Sequence, residues 1–244
     1  MRGLLVAIGF LTRLPVPATA FGDARAQAAS LAWYPLVGLL LGSLLCAFAW
    51  LLHGLAVPSL LSSALLLVAW VALTGALHLD GLADSADAWV GGLGDRDRTL
   101  EIMKDPRSGP AGVTALVVIL LLKFAALSSL PAAVWPALLL APLLARASLT
   151  AAFLWTPYVR RDGLGSALTR ASRDGCRIAL ASSAVFCLCF GWHGLLAIIV
   201  ATAIGFAWRR ACMARLGGFT GDTAGALAEA IEVAVLVALA VTMR

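Results

Sequence analysis

Seven apolar stretches dominate this chain, at about residues 31–52, 59–78, 112–130, 133–156, 177–191, 193–208 and 224–243. About 20 apolar residues cross the hydrocarbon core of a bilayer as a helix. Lipid offers backbone N–H and C=O groups no partners, so such stretches bond internally as helices. The expected fold is therefore all-α: a polytopic membrane helical bundle of about seven spans, with short cytoplasmic helices. Seven spans consume most of the 244 residues, so residues 1–244 are read as a single integral-membrane domain. Composition agrees, with 61% hydrophobic and only 13% charged residues. Soluble domains carry roughly 25% charge, and disorder needs low hydrophobicity with high charge.

Residues 177–208 are too long for one upright helix and suit a hairpin broken near Gly191-Trp192-His193-Gly194. Gly38-x-x-x-Gly42 is a small-xxx-small pattern, compatible with a contact inside the bundle or with a dimer face. Cys46, Cys176, Cys187, Cys189 and Cys212 form no CxxC pair and read as small packing residues.

The net charge of +5 reflects sidedness. Loops near 53–58, 131–132 and 191–193 hold no Lys or Arg. The other side holds Arg2, Arg13 and Arg25, then Arg96, Arg98, Lys104 and Arg107. Arg160, Arg161, Arg170, Arg173, Arg177, Arg209, Arg210 and Arg215 follow on the same side. The positive-inside rule puts that face, and the N-terminus, in the cytoplasm. Nucleic-acid binding is not expected, because no basic stretch is interleaved with base-stacking aromatics. Residues 1–20 resemble a signal peptide, but Arg13 and Leu14-Pro15-Val16-Pro17 interrupt that pattern. The preferred reading is a retained helix lying in the interface, apolar face in lipid.

The acids are not scattered. His78-Leu79-Asp80-Gly81-Leu82-Ala83-Asp84-Ser85-Ala86-Asp87 follows the second span directly. If the helix continues, Asp80, Asp84 and Asp87 share an arc of about 60°. No basic residue lies between Arg25 and Arg96 to balance them. Three unpaired carboxylates at a membrane surface invite a hard divalent cation such as Mg2+, which takes one or two carboxylates plus substrate phosphates. A second stripe, Asp222, Glu229 and Glu232, lies within about 80° on the last span. Thr220 or Asp222 is an N-cap candidate there. Glu229 and Glu232 sit inside lipid, where carboxylates are costly and functional by default. Lys123 and Arg146 also fall within spans, as partners for these acids or for a polyanionic ligand. Between the stripes, residues 95–112 read as an amphipathic surface helix or a lid, with Lys104 and Arg107 available to grip phosphate. The residues alone thus suggest a Mg2+-dependent site, open to the cytoplasm, for a phosphate or diphosphate substrate.

His78-Leu79-Asp80-Gly81-Leu82-Ala83-Asp84 closely resembles the signature of the cobalamin synthases, the adenosylcobinamide-GDP ribazoletransferases. Phe10-Leu11-Thr12-Arg13-Leu14-Pro15, Pro35-Leu36-Val37-Gly38, Leu100-Glu101-Ile102-Met103-Lys104-Asp105 and Gly218-Phe219-Thr220-Gly221-Asp222-Thr223 resemble further family motifs, in order along the chain. The resemblance implies a transferase of cobalamin biosynthesis in the cell inner membrane. It would join adenosylcobinamide-GDP to α-ribazole or α-ribazole 5′-phosphate, giving adenosylcobalamin or its 5′-phosphate plus GMP. Mg2+ is the implied cofactor. Other cobalamin-assembly enzymes are candidate partners, and the oligomeric state stays open. CDP-alcohol phosphotransferases have an acidic motif of similar type, but Asp80-Gly81-Leu82-Ala83 overlaps it only in part and Asp84 stands where an arginine would follow.

On this basis Asp80, Asp84, Asp87 and Asp222 are the expected metal ligands. Asp84, Asp80 and His78 are the expected catalytic groups, with Asp84 favoured as base. Arg13, Lys104, Asp105, Arg107, Lys123, Arg146, Thr220, Thr223, Glu229 and Glu232 are the expected substrate-binding residues. The rival readings are a phosphotransferase with lipid substrates, a transporter and a scaffold for other enzymes.

Overall fold

The protein is described by a computed structural model covering residues 1–130, 135–160 and 165–243. All the regular structure described is helical. After α1 (Arg2–Leu11) and α2 (Ala24–Ser30) come α3 (Tyr34–Gly54), α4 (Ser59–Thr74), α5 (Leu77–Gly91) and α6 (Arg96–Ile102). Then follow α7 (Pro110–Ser129), α8 (Trp135–Trp155), α9 (Arg173–Leu188), α10 (Gly191–Leu216) and α11 (Gly221–Thr242).

Five helical runs are long and apolar enough to cross a membrane: Ala24–Gly54, α7, α8, α10 and α11. α8 and α11 form the centre, with 78% and 67% of their apolar windows buried, against 22% for α7 and 17% for α10. α4 and α5 together make a sixth candidate only as a bent pair, and α9, with 16 residues, does not qualify, so five or six candidate spans stand where about seven were expected. The expected hairpin in 177–208 is present. α9 ends at Cys189, and Gly191 turns the chain with a φ of +59°. The expected loop at 131–132 and Arg161 lie outside the described residues.

Two further expectations need correction. The acidic helix does not continue the second span. Gly75 and Ala76 both adopt left-handed backbone, and α5 leaves α4 at 87°. Gly75 is suited to this break twice over, because the Arg13 side chain occupies the place a Cβ would fill. The backbone N–H of Arg13 also bonds Leu73 O at 2.7 Å, tying the N-terminal segment to the break. The second correction concerns α1. Val6, Ala7 and Leu11 are buried within the protein, so part of the apolar surface of this helix packs on protein, while Leu4, Leu5, Ile8 and Phe10 keep exposed surface.

The Gly38/Gly42 face is spent inside the bundle. A Cβ on Gly38 would stand 2.3 Å from Pro142 O, and one on Gly42 would stand 2.6 Å from Leu138 O. Pro142 has no N–H, so the Leu138 carbonyl lacks its i+4 donor, and the close approach of α3 covers it. Because backbone atoms are the obstacle, a side chain here cannot be absorbed by a rotamer change. Gly38→Val is expected to cost about 1–3 kcal/mol through overpacking. It should lower the melting temperature in detergent, whereas Leu40→Val, on a less crowded face of α3, should not.

Candidate active site

α5 brings the first acidic stripe onto the start of α11. It crosses there backbone to backbone, which small residues permit: a Cβ on Gly81 would lie 2.7 Å from Asp222 O, and one on Gly225 would lie 3.1 Å from His78 O. Gly225 therefore admits α5. α5 then reaches the start of α7. There Asp87 accepts hydrogen bonds from the N–H groups of Gly109 (2.6 Å) and Gly112 (2.9 Å). Asp87 thus caps α7 from a distance, where Pro110 has no N–H of its own to satisfy. Each of its oxygens accepts one N–H, and Asp87 is absent from the wall of the cavity beside α5.

Asp80, Asp84 and Asp222 are the other expected metal ligands. A cavity of about 190 Å³ opens between α5, the start of α11 and the segment after α8. Its wall includes Asp80, Asp222, His78, Tyr158 and Arg160. α5, bent 87° from α4, carries Asp84, whose carboxyl feels the charges of these acids. Burial pushes the Asp84 carboxyl up to about 6. The charges of Asp80 and Asp222 push the same way, and Arg160 opposes them. No three acidic, His or Cys side chains among the described residues converge as a ready-made metal cage. Mg2+ commonly takes one or two carboxylates and completes its shell with phosphate and water, and Asp80 and Asp222 are the carboxylates on this wall. A carboxylate crowded by like charges is the chemistry such a cation relieves.

His78 is buried on α5, with Nδ1 3.4 Å from Nη2 of Arg146. A guanidinium only donates, so Nδ1 accepts and the ring proton sits on Nε2. Arg146 itself belongs to a closed ionic network. Lys123 Nζ reaches Glu229 Oε2 at 2.6 Å and Glu232 Oε2 at 2.5 Å, and Arg146 pairs with the other Glu232 oxygen. Lys123 also lies over the Trp70 ring at 5.1 Å. All four charged groups are buried and balance one another. They are absent from the cavity wall, where the sequence reading had placed them as substrate-binding groups.

Thr220 and Thr223 are likewise occupied. They form a reciprocal capping box, Thr223 N–H to Thr220 Oγ1 at 3.2 Å and Thr220 N–H to Thr223 Oγ1 at 2.9 Å. Both are buried, so they start α11 and do not face a ligand. Arg107 grips Asp105 with Nε at 2.9 Å and Nη2 at 2.7 Å, which holds the Asp105 carboxyl down at about 2. Lys104 and Arg13 are exposed, and none of these four residues lines the cavity.

A family model described as cobalamin-5-phosphate synthase matches residues 3–240. The chain belongs to that family. An adenosylcobinamide-GDP ribazoletransferase of Stutzerimonas stutzeri is 57% identical over 242 residues, covering 98% of both chains. Proteins of the same name from Pseudomonas aeruginosa and Pseudomonas putida are 56% and 54% identical over 243 and 244 residues. No solved structure matches. The His78–Asp84 stretch, on which the resemblance to this family rested, is the part of α5 that crosses α11. The motif at 218–223 supplies the other half of that crossing.

Sequence reasoning missed Tyr158 and Arg160. They follow α8, and a short parallel bridge carries them to the site: Phe219 N–H bonds Pro157 O at 2.8 Å, and Val159 N–H bonds Phe219 O at 2.9 Å. Arg160 then meets Asp222 at 2.9 Å. The signal available was a basic residue after a span, which reads equally well as positive-inside sorting.

Proposed function

We propose that this protein joins adenosylcobinamide-GDP to α-ribazole or α-ribazole 5′-phosphate at the cavity between α5 and α11. A ribose hydroxyl attacks the phosphorus on the cobinamide side of the diphosphate. The new ribose O–P bond forms as the P–O–P link breaks, and GMP leaves with the bridging oxygen. The products are adenosylcobalamin or its 5′-phosphate. The observation that carries this reading is the crossing of the His78–Asp84 stretch over the start of α11, which puts Asp80 and Asp222 on one cavity wall, with Asp84 within reach of their charge.

Asp80, Asp84 and Asp222 are the residues that would hold Mg2+. Bound there, the ion would neutralise diphosphate charge and stabilise the leaving phosphate. Asp84, whose carboxyl burial pushes up to about 6, accepts the proton of the attacking hydroxyl. His78, with its proton on Nε2, is a hydrogen-bond donor to a phosphate oxygen and not a second base. The site face carries the described Arg and Lys residues outside the spans, so it and the N-terminus are assigned to the cytoplasm of the inner membrane.

The test is GMP release by purified protein in detergent with adenosylcobinamide-GDP, α-ribazole and Mg2+. Release should require α-ribazole and stop with EDTA. Release that ignores α-ribazole would indicate a hydrolase. No release except with a lipid alcohol as acceptor would indicate a phosphatidyl-alcohol transferase.

A further inference from the structure

The cavity wall holds a contradiction that points to one residue. A diphosphate is strongly anionic, yet Asp80 and Asp222 line this cavity, with Asp84 close by. Among the described residues, Arg160 is the one arginine or lysine on the wall.

Arg160 is placed there by construction. The bridge between 157–159 and 218–219 is locked on both sides. A Cβ on Gly218 would stand 2.3 Å from Pro157 O. Phe219 is fully buried among Phe153, Tyr158 and Trp208, with ring centroids at 4.9, 5.3 and 5.6 Å. The next charged side chain along the chain is Arg160. Its Nη2 spans Asp222 Oδ2 at 2.9 Å and the Met103 carbonyl at 3.2 Å. Its Nε is buried and has no hydrogen-bond partner among the described residues. A buried guanidinium N–H without an acceptor is costly unless something supplies one. The planar fork of arginine matches phosphate oxygens in a way a lysine ammonium does not.

We propose that Arg160 is a ligand of the substrate diphosphate, parked on Asp222 until substrate arrives. This rests on the transferase reading above and adds a residue that reading does not include. A phosphate oxygen takes the Nε–H and displaces Asp222 from Nη2. Asp222 is then left as an unpaired carboxylate beside Asp80 and Asp84. Asp222 and the diphosphate therefore compete for one guanidinium, and that competition is the feature to measure.

The probe is GDP, titrated into detergent-solubilised protein in EDTA and followed by 31P NMR, so that metal does not enter. Arg160→Gln should weaken GDP binding at least tenfold, and Arg160→Lys should recover part of the loss. Asp222→Asn should tighten GDP binding several-fold by removing the competitor, an effect that a merely structural role for Arg160 would not produce. In turnover, Arg160→Gln should raise the KM for adenosylcobinamide-GDP more than it lowers kcat. Unchanged GDP affinity in an Arg160→Gln protein with wild-type melting would overturn the proposal, as would no measurable GDP binding to the wild type. If Arg160→Gln does not fold, Asp222→Asn decides: unchanged or weaker binding overturns it. GDP binding that depends on Arg160 in a protein that releases no GMP would sink the transferase reading and leave the diphosphate site standing.

Discussion

Asp84→Asn is expected to lower turnover by about 10²–10⁴-fold, the range general-base catalysis supplies, while the protein melts no lower than wild type. The reason is the sign of the Asp84 shift. Burial and the neighbouring Asp80 and Asp222 favour its protonated form, raising the carboxyl from 3.8 to about 6. A folded-state value above the unfolded one means that the folded chain binds a proton that the unfolded chain has released. Stability contributed by that proton is present below about pH 4 and is lost as pH rises through about 6. At neutral pH the ionised carboxylate is therefore a cost to the fold, and a neutral amide removes it. Residues kept at the expense of stability are those that function needs. The same shift shapes the pH profile. A cation held at Asp84 would lower its carboxyl from about 6, so the acid-side fall of wild-type kcat/KM should move to lower pH as Mg2+ is raised. Turnover against pH, with melting curves for both proteins, checks this. Full activity in Asp84→Asn would move the base to Asp80. Loss of activity together with loss of folding would make Asp84 structural.

Glu232→Ala should destabilise the protein by about 3–5 kcal/mol, the cost typical of leaving a buried charge unpaired. Glu232 bridges Lys123 and Arg146 deep in α11 and is 1% exposed. Its removal leaves two cations facing Glu229 alone in an apolar interior. Lys123→Met combined with Glu229→Gln keeps the Arg146–Glu232 pair and restores neutrality, so it should cost much less than the sum of its single variants. Thermal unfolding in one detergent distinguishes these outcomes. A Glu232→Ala protein with wild-type melting and no turnover would mean that the network serves the chemistry, acting through Arg146 on His78.

The membrane character of this chain needs no tertiary information. Apolar runs of span length have few other fates, because transfer into lipid depends on composition and length. The asymmetry of Arg and Lys is equally local. So is the shared face of Asp80 and Asp84, which helical geometry sets once α5 forms. The His78–Asp84 stretch is also contiguous sequence, which is why the family was legible from it.

Tertiary structure alone decided how the charges divide between structure and chemistry. Asp84 and Asp87 are neighbours on one helix, yet Asp87 accepts the N–H groups of Gly109 and Gly112 while Asp84 is left within reach of the charges of Asp80 and Asp222. Glu232 and Arg146 are 86 residues apart and cancel each other. Arg160 carries no local mark separating it from any other basic residue after a span, and it becomes part of the site only through the bridge to Phe219. The break at Gly75-Ala76, which bends the acidic helix 87° from α4, looks in sequence like two small residues in an apolar run. The physical reason is common to all four. Hydrophobic burial is non-directional and scales with apolar area, so composition reveals it. Hydrogen bonds and ion pairs are short-ranged and directional, so their partners exist only once distant segments have been brought together.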